Sequence, residues 1–147
     1  MPRVTFEMLE GRTIEQKREL VEVISDAVSV CFQVPRDYAL IRFIDVKFED
    51  FASDGELRCD TSLREGKPVY GRRLEPRLTV LFIEGRSMDQ RRAFVKTIAP
   101  EISRILDVPL KDVLIFMLEM KNDELSYGGI FPCDEPRFKF DPDNPHE

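Results

Sequence analysis

The sequence predicts an α/β (α+β) fold: two tandem β-α-β units that form one four-stranded mixed sheet with two helices on one face. Three observations carry this. First, the chain repeats itself: shifted by 74 positions, residues 2–47 and 76–121 are identical at 16 of 46 positions without a gap, including Pro2/Pro76, Arg3/Arg77, Thr5/Thr79, Gln16/Gln90 and Val34-Pro35/Val108-Pro109. Second, each copy runs from a β-branched and aromatic segment, through a stretch with helical apolar periodicity, to a second strand-like segment. Third, both copies share their punctuation, a Glu-Gly-Arg triplet before the helix and Val-Pro after it. Two copies make a duplication, not a solenoid.

In order, RVTFEML (3–9) and RLTVLFI (77–83) read as strands. Glu-Gly-Arg ends each strand in a turn. Thr13-Ile14-Glu15-Gln16 and Ser87-Met88-Asp89-Gln90 fit the capping box, in which a hydroxyl and a glutamine satisfy each other's orphan backbone donors. The helices that follow bury Leu20, Val21, Ile24, Val28 and Cys31 in the first copy, and Phe94, Val95, Ile98, Ile102 and Ile105 in the second. Pro35 and Pro109 bound them. ALIRFIDVKF and VLIFMLEM supply the second strands. A helical crossover of this length implies parallel strands within each unit. The whole chain, 1–147, thus reads as a single domain of two repeats, 2–48 and 76–129. The connector 49–75 is polar and has room for a short hairpin, and the C-terminal arm 130–147 is proline-rich and non-helical. Two such units leave one sheet face bare. We read the first strands as apolar on both faces (Val4, Phe6, Met8; Leu78, Val80, Phe82) and expect the bare face to be buried by oligomerisation.

Composition narrows the function. A net charge of −6 with no basic cluster disfavours nucleic acid or an anionic membrane as partner. No apolar run approaches a membrane span, and the N-terminus lacks the pattern of a signal peptide, so a cytoplasmic location is expected. Cys31, Cys59 and Cys133 are odd in number and lack CxxC spacing; they read as reduced thiols and not as a zinc site. His146, the single histidine, lies in the tail, which disfavours a His-based triad or metal site. No cofactor or metal is expected.

Pro2, the doubled EGR-[ST]-x-x-Q phrase and the β-α-β repeat together resemble the tautomerase superfamily, in particular its 4-oxalocrotonate tautomerase branch. Two fused units are similar to the arrangement in the malonate semialdehyde decarboxylase and cis-3-chloroacrylic acid dehalogenase branches. The resemblance covers residues 2–47 and 76–129 and implies a tautomerase (MIF-like) fold, a homotrimer of fused chains and a small carboxylate substrate. It also implies that removal of Met1 exposes Pro2 as a secondary amine acting as general base and acid. Nearby cations and desolvation lower such an amine's pKa toward neutrality. Pro76, locked in an amide, has no such chemistry.

The resemblance implies that each proline faces the arginine of the other copy. Pro2 and Arg86 are therefore the expected catalytic residues, Arg86 holding a substrate carboxylate. Arg12 would face Pro76; either arginine could instead simply cap its turn. The branch's second-strand arginine is replaced by Leu40 and Leu114, and Arg42, two residues on, is the candidate substitute or else an exposed strand residue. Tyr127, near the position of the branch's aromatic residue (Leu125 here), is a further candidate substrate contact. Asp37 resembles an aspartate of the decarboxylase branch but lies one residue nearer the Val-Pro pair, and is alternatively a turn residue. Glu84 stands where that branch has an arginine. Against the dehalogenase branch stand Phe116 in place of a tyrosine, Ser126 near its glutamate, Ile83 in place of an arginine, and no matching histidine. The leading expectation is tautomerisation of a 2-hydroxy-dienoate or arylenolpyruvate. The alternatives are a malonate-semialdehyde-type decarboxylase or hydratase, and a non-catalytic trimeric scaffold.

Overall fold

The computed structural model describes residues 2–134; Met1, His146 and the C-terminal arm beyond residue 134 lie outside the described residues. The first repeat folds as β1 (Arg3–Leu9), α1 (Ile14–Phe32) and β2 (Leu40–Val46). The connector adds β3 (Ala52–Ser53), β4 (Glu56–Leu57) and α2 (Arg58–Glu65). The second repeat follows as β5 (Arg77–Ile83), α3 (Met88–Leu106) and β6 (Leu114–Met120). Both capping boxes form: Thr13 and Ser87 accept from the backbone N–H of Gln16 and Gln90, and each glutamine side chain accepts from the cap's own N–H. The connector hairpin is β3–β4. Helix α2 had no strong periodic signal and was not expected.

The main sheet runs β2-β1-β5-β6, with β1/β2 and β5/β6 parallel and β1/β5 antiparallel. The β1/β5 register pairs Thr5 with Thr79, Arg3 with Leu81 and Glu7 with Arg77. Thr79 is the repeat equivalent of Thr5, so a pseudo-twofold axis passes through that pair. Each repeat's proline therefore lies beside the far end of the other repeat's first strand. This register links the duplication in the sequence to two equivalent sites in the fold.

Helices α1 and α3 cover one face of the sheet. Phe6, Phe32, Phe82 and Phe94 are almost fully buried, with Phe32 stacked at 6.1 Å on Phe82 and 5.0 Å from Phe94. Each contributes about 1.5–3 kcal/mol of transfer free energy. The expectation that Val4, Phe6, Met8, Leu78, Val80 and Phe82 furnish both sheet faces is corrected: all six are buried against the helices, because residues two apart in a strand share a face. The other face carries the intervening residues. Its centre is polar, with Thr5, Thr79 and the Glu7–Arg77 ion pair. Its flanks are apolar, with Ile44, Phe116 and Leu118 between 42% and 48% exposed.

The connector winds around a buried cation. Arg58 is 1% exposed. Its guanidinium donates to the carbonyls of Val69 (3.2 Å) and Gly71 (2.8 Å) and to Ser53 Oγ (3.0 Å), and lies over the Phe51 ring. Burial pushes its pKa down, partly offset by Glu75. The following residues Arg72, Arg73 and Leu74 all have positive φ (60°, 50° and 64°). This left-handed run costs about 1–2 kcal/mol per residue. It is held by the buried Asp112 carboxylate, which accepts from the N–H groups of Arg72 (3.0 Å) and Leu74 (3.3 Å). The run delivers Glu75 to the sheet.

Candidate active site

Pro2 is buried at the start of a central strand. Its carbonyl accepts from Leu40 N–H at 3.4 Å, and the equivalent bond in the second repeat, Leu114 N–H to Pro76, is 3.1 Å. The nitrogen end of Pro2 thus sits between β2 and the end of β5. Arg86 follows that end of β5 by three residues. Gly85 precedes it with φ 111°, as Gly11 precedes Arg12 with φ 102°; this conformation accounts for the glycine in both Glu-Gly-Arg triplets.

The two repeat-equivalent arginines have diverged. Arg86 donates to the Phe32 carbonyl at the end of α1 (2.8 Å) and packs over the Phe32 ring. Burial lowers its pKa, and among the described residues no carboxylate pairs with it. Arg12, in contrast, is locked. It donates to both oxygens of Glu75 (2.8 and 3.3 Å) and to the Leu9 carbonyl, and lies 3.9 Å from the centre of the Tyr70 ring. Both side chains of this ion pair are less than 5% exposed. Arg12 therefore belongs to the Pro76 end of the sheet, with its charge already matched.

Where β1 begins, a cavity of about 130 Å³ has Arg3, Leu81, Ile83, Leu125, Ser126 and Tyr127 among its walls; Pro2 and Arg86 do not line it. Tyr127 opens a tight turn through Gly128 and Gly129 (φ 57° and 87°), closed by paired 2.9 Å bonds between Tyr127 and Ile130. Its buried ring lies 5.8 Å from the Arg3 guanidinium, and burial pushes its phenol pKa up. The twin cavity where β5 begins is larger, about 430 Å³, with Leu9, Val46, Phe51, Leu74, Glu75 and Arg77 among its walls. Asp37 is exposed in the short 3-10 turn Arg36–Tyr38 that leads into β2 and so lies on the Pro2 side. Arg42 is exposed on the helix-free face of β2, opposite Thr5. The fold thus gathers Pro2, Arg86, Tyr127 and the Asp37 turn at one end of the β1/β5 pair, sends Arg12 to the other, and leaves Arg42 on the open face.

Glu75 and Tyr70 were missed from sequence. The signal for Glu75 was present: 74 positions back from it is Met1, the residue that precedes the first proline. Among the described residues no group of three or more His, Cys, Asp or Glu side chains is placed to hold a metal ion, and no helix is long and apolar enough to cross a membrane. Cys31, Cys59 and Cys133 are all free thiols.

The chain is similar to known proteins in sequence and in fold. The family model described as "Tautomerase enzyme" matches residues 2–57, the first repeat and the connector's β3–β4 hairpin. A probable tautomerase of Listeria innocua is 34% identical over 59 residues, 40% of this chain and 97% of that protein. The 2-hydroxymuconate tautomerase of Bacillus subtilis is 37% identical over 60 residues, 41% of this chain and 97% of that protein. These relatives span one repeat. A fused 4-OT solved as an asymmetric trimer superposes at a TM-score of 0.76 with 18% identity, covering 92% of this chain and 99% of that one. A member of the cis-3-chloroacrylic acid dehalogenase family superposes at 0.67 with 13% identity, covering 88% of this chain and 82% of that one. With one repeat matching almost the full length of single-unit tautomerases and both repeats superposing on their fused form, the chain belongs to the tautomerase family.

Proposed function

We propose that the protein is an N-terminal-proline tautomerase acting on a small 2-hydroxy-dienoate or arylenolpyruvate. The observation that carries this reading is the asymmetry of the two arginines. Arg12 is paired with a buried internal carboxylate, whereas Arg86, at the Pro2 end, meets the Phe32 carbonyl and ring and pairs with no carboxylate among the described residues. After Met1 is removed, the secondary amine of Pro2 lies beside an unmatched cation in a partly desolvated setting. Both effects disfavour the ammonium form. The neutral amine takes the proton of the substrate's enol hydroxyl and returns it to carbon. Arg86 holds the substrate carboxylate and fixes the path of that transfer, while Tyr127 and Ile83 close one wall of the site. Positioned acid–base catalysis of this kind is worth about 10²–10⁴ in rate.

The relatives named as 2-hydroxymuconate tautomerases and the fused 4-OT trimers support the substrate class and a homotrimer. In a trimer the helix-free faces pack together, and Arg42 is the candidate for reaching a neighbouring chain's site. The free thiols fit a reducing cytoplasm. A second reading, a decarboxylase or hydratase, rests on Asp37 lying on the Pro2 side. A non-catalytic trimeric scaffold is the third.

The test is ketonisation of phenylenolpyruvate or 2-hydroxymuconate by protein whose N-terminus mass analysis shows to be Pro2, beside Pro2→Ala. The expected result is clear turnover by the native chain and marked impairment of the variant. Rates no higher than buffer for the processed chain would end the tautomerase reading for these substrates.

A further inference from the structure

The geometry points to a second carboxylate-binding site in this chain, at Pro76, which the protein keeps closed with its own Glu75. Four donors converge on the Glu75 carboxylate. Oε1 accepts from Leu9 N–H (2.8 Å) and Arg12 (2.8 Å); Oε2 accepts from Gly71 N–H (2.7 Å) and Arg12 (3.3 Å). This is a site built for a carboxylate, with a bidentate arginine and two backbone N–H groups around a group only 4% exposed. The carboxylate that fills it comes from the residue before Pro76, and the left-handed turn at Arg72–Leu74 aims it there. It opens directly on the cavity of about 430 Å³, whose walls combine the apolar Val46, Phe51, Leu74 and Leu114 with the charged Glu7, Asp50, Arg73 and Arg77. The apolar part of these walls has room for a short aliphatic or aryl tail. The ligand class is therefore a small monocarboxylate with an apolar end, bound without turnover, because Pro76 has no free amine.

Removing the plug should unmask the site. Glu75→Ala leaves Arg12 buried and unpaired, so its midpoint of unfolding should fall by roughly 10 °C. Sodium propionate should restore part of that loss in a saturable manner, since a ligand bound only by the folded state raises its stability with concentration. Sodium chloride at equal ionic strength should not. The unaltered chain, Glu75→Gln with its site still filled, and Arg12→Ala/Glu75→Ala with no charge to pair should all be insensitive to propionate. If Glu75→Ala does not fold alone, refolding from denaturant in propionate should recover it. A folded Glu75→Ala that responds to propionate no more than the unaltered chain overturns the proposal. So does failure to refold in propionate where the unaltered chain refolds, or an equal response from the double variant. The readout is stability, so the experiment can be run in a Pro2→Ala background and does not depend on the reaction at Pro2.

Discussion

Arg12→Ala and Arg86→Ala delete the same side chain from the same place in two copies of one motif, yet they should do opposite things. Arg12→Ala strands the Glu75 carboxylate in a site less than 5% exposed. Leaving one partner of a buried ion pair uncompensated costs about 3–5 kcal/mol. Arg86→Ala removes one hydrogen bond to the Phe32 carbonyl and a cation–ring contact. Those are worth about 1–2 kcal/mol together. Function runs the other way. Loss of a preorganised charge partner at the reacting site costs about 2–4 kcal/mol. That is about 30- to 1000-fold in kcat/KM for Arg86→Ala. Arg12→Ala, per folded molecule, should stay within a few-fold of the native rate. The assay pairs denaturant unfolding, at one protein concentration because an assembly's stability depends on it, with phenylenolpyruvate ketonisation normalised to folded protein. Equal activity losses, or an Arg12→Ala protein as stable as the native chain, would refute the assignment of one arginine to chemistry and the other to structure.

The rate of ketonisation should rise with pH through an inflection well below that of free proline's amine, because the base must be neutral. Tyr127, whose pKa burial raises, should add no inflection below its ordinary phenol range; a bell with two inflections near neutrality would bring in a second group. Leu118→Lys places a charge on the apolar flank of the helix-free face, and light scattering should show the trimer dissociating. A native chain that is monomeric at micromolar concentration would contradict the assembly itself. Glu56 and Glu65 both have pKa values lowered below the ordinary 4.5, chiefly by hydrogen bonds from Arg64 and Arg72. Their folded values lie below their unfolded ones, so their support is present above pH 4.5 and is lost as pH falls through the folded values. As pH falls below 4.5, hydrogen-exchange protection over 56–72 should therefore drop before protection in β1 and β5 does.

Most of the fold was legible because its devices are local. Thr13 with Gln16 and Ser87 with Gln90 announce helix starts by chemistry confined to four residues, and the strands at 3–9 and 77–83 form as read. Periodicity also prevailed over a contrary signal: Pro100 sits inside α3, where it lacks an N–H, but the apolar face from Phe94 to Ile105 holds the helix together. Val4, Phe6 and Met8 depart from the expected two-faced distribution because strand residues two apart share a face, and the helices cover that face. Helix α2 was invisible because its eight residues are held by a buried arginine and not by an apolar stripe. The motifs single out Pro2 and both arginines as candidates, and the fold sets Pro2 and Arg86 at one end of the β1/β5 pair and Arg12 at the other. That Arg12 is already neutralised depends on a contact across 63 residues, which local pattern does not encode.

The antiparallel pairing of β1 with β5 has a genetic consequence. In an assembly of identical single units, any substitution appears at every equivalent site at once, so a residue cannot be improved for one role without being imposed on the other. Here the two halves of the pseudo-twofold are written by different codons. A change at Arg12, Tyr70 or Glu75 leaves the Pro2 end untouched. On the proposed function, one half is thereby free to accumulate stabilising substitutions while the other is held to the demands of turnover, and selection can act on them separately within a single gene.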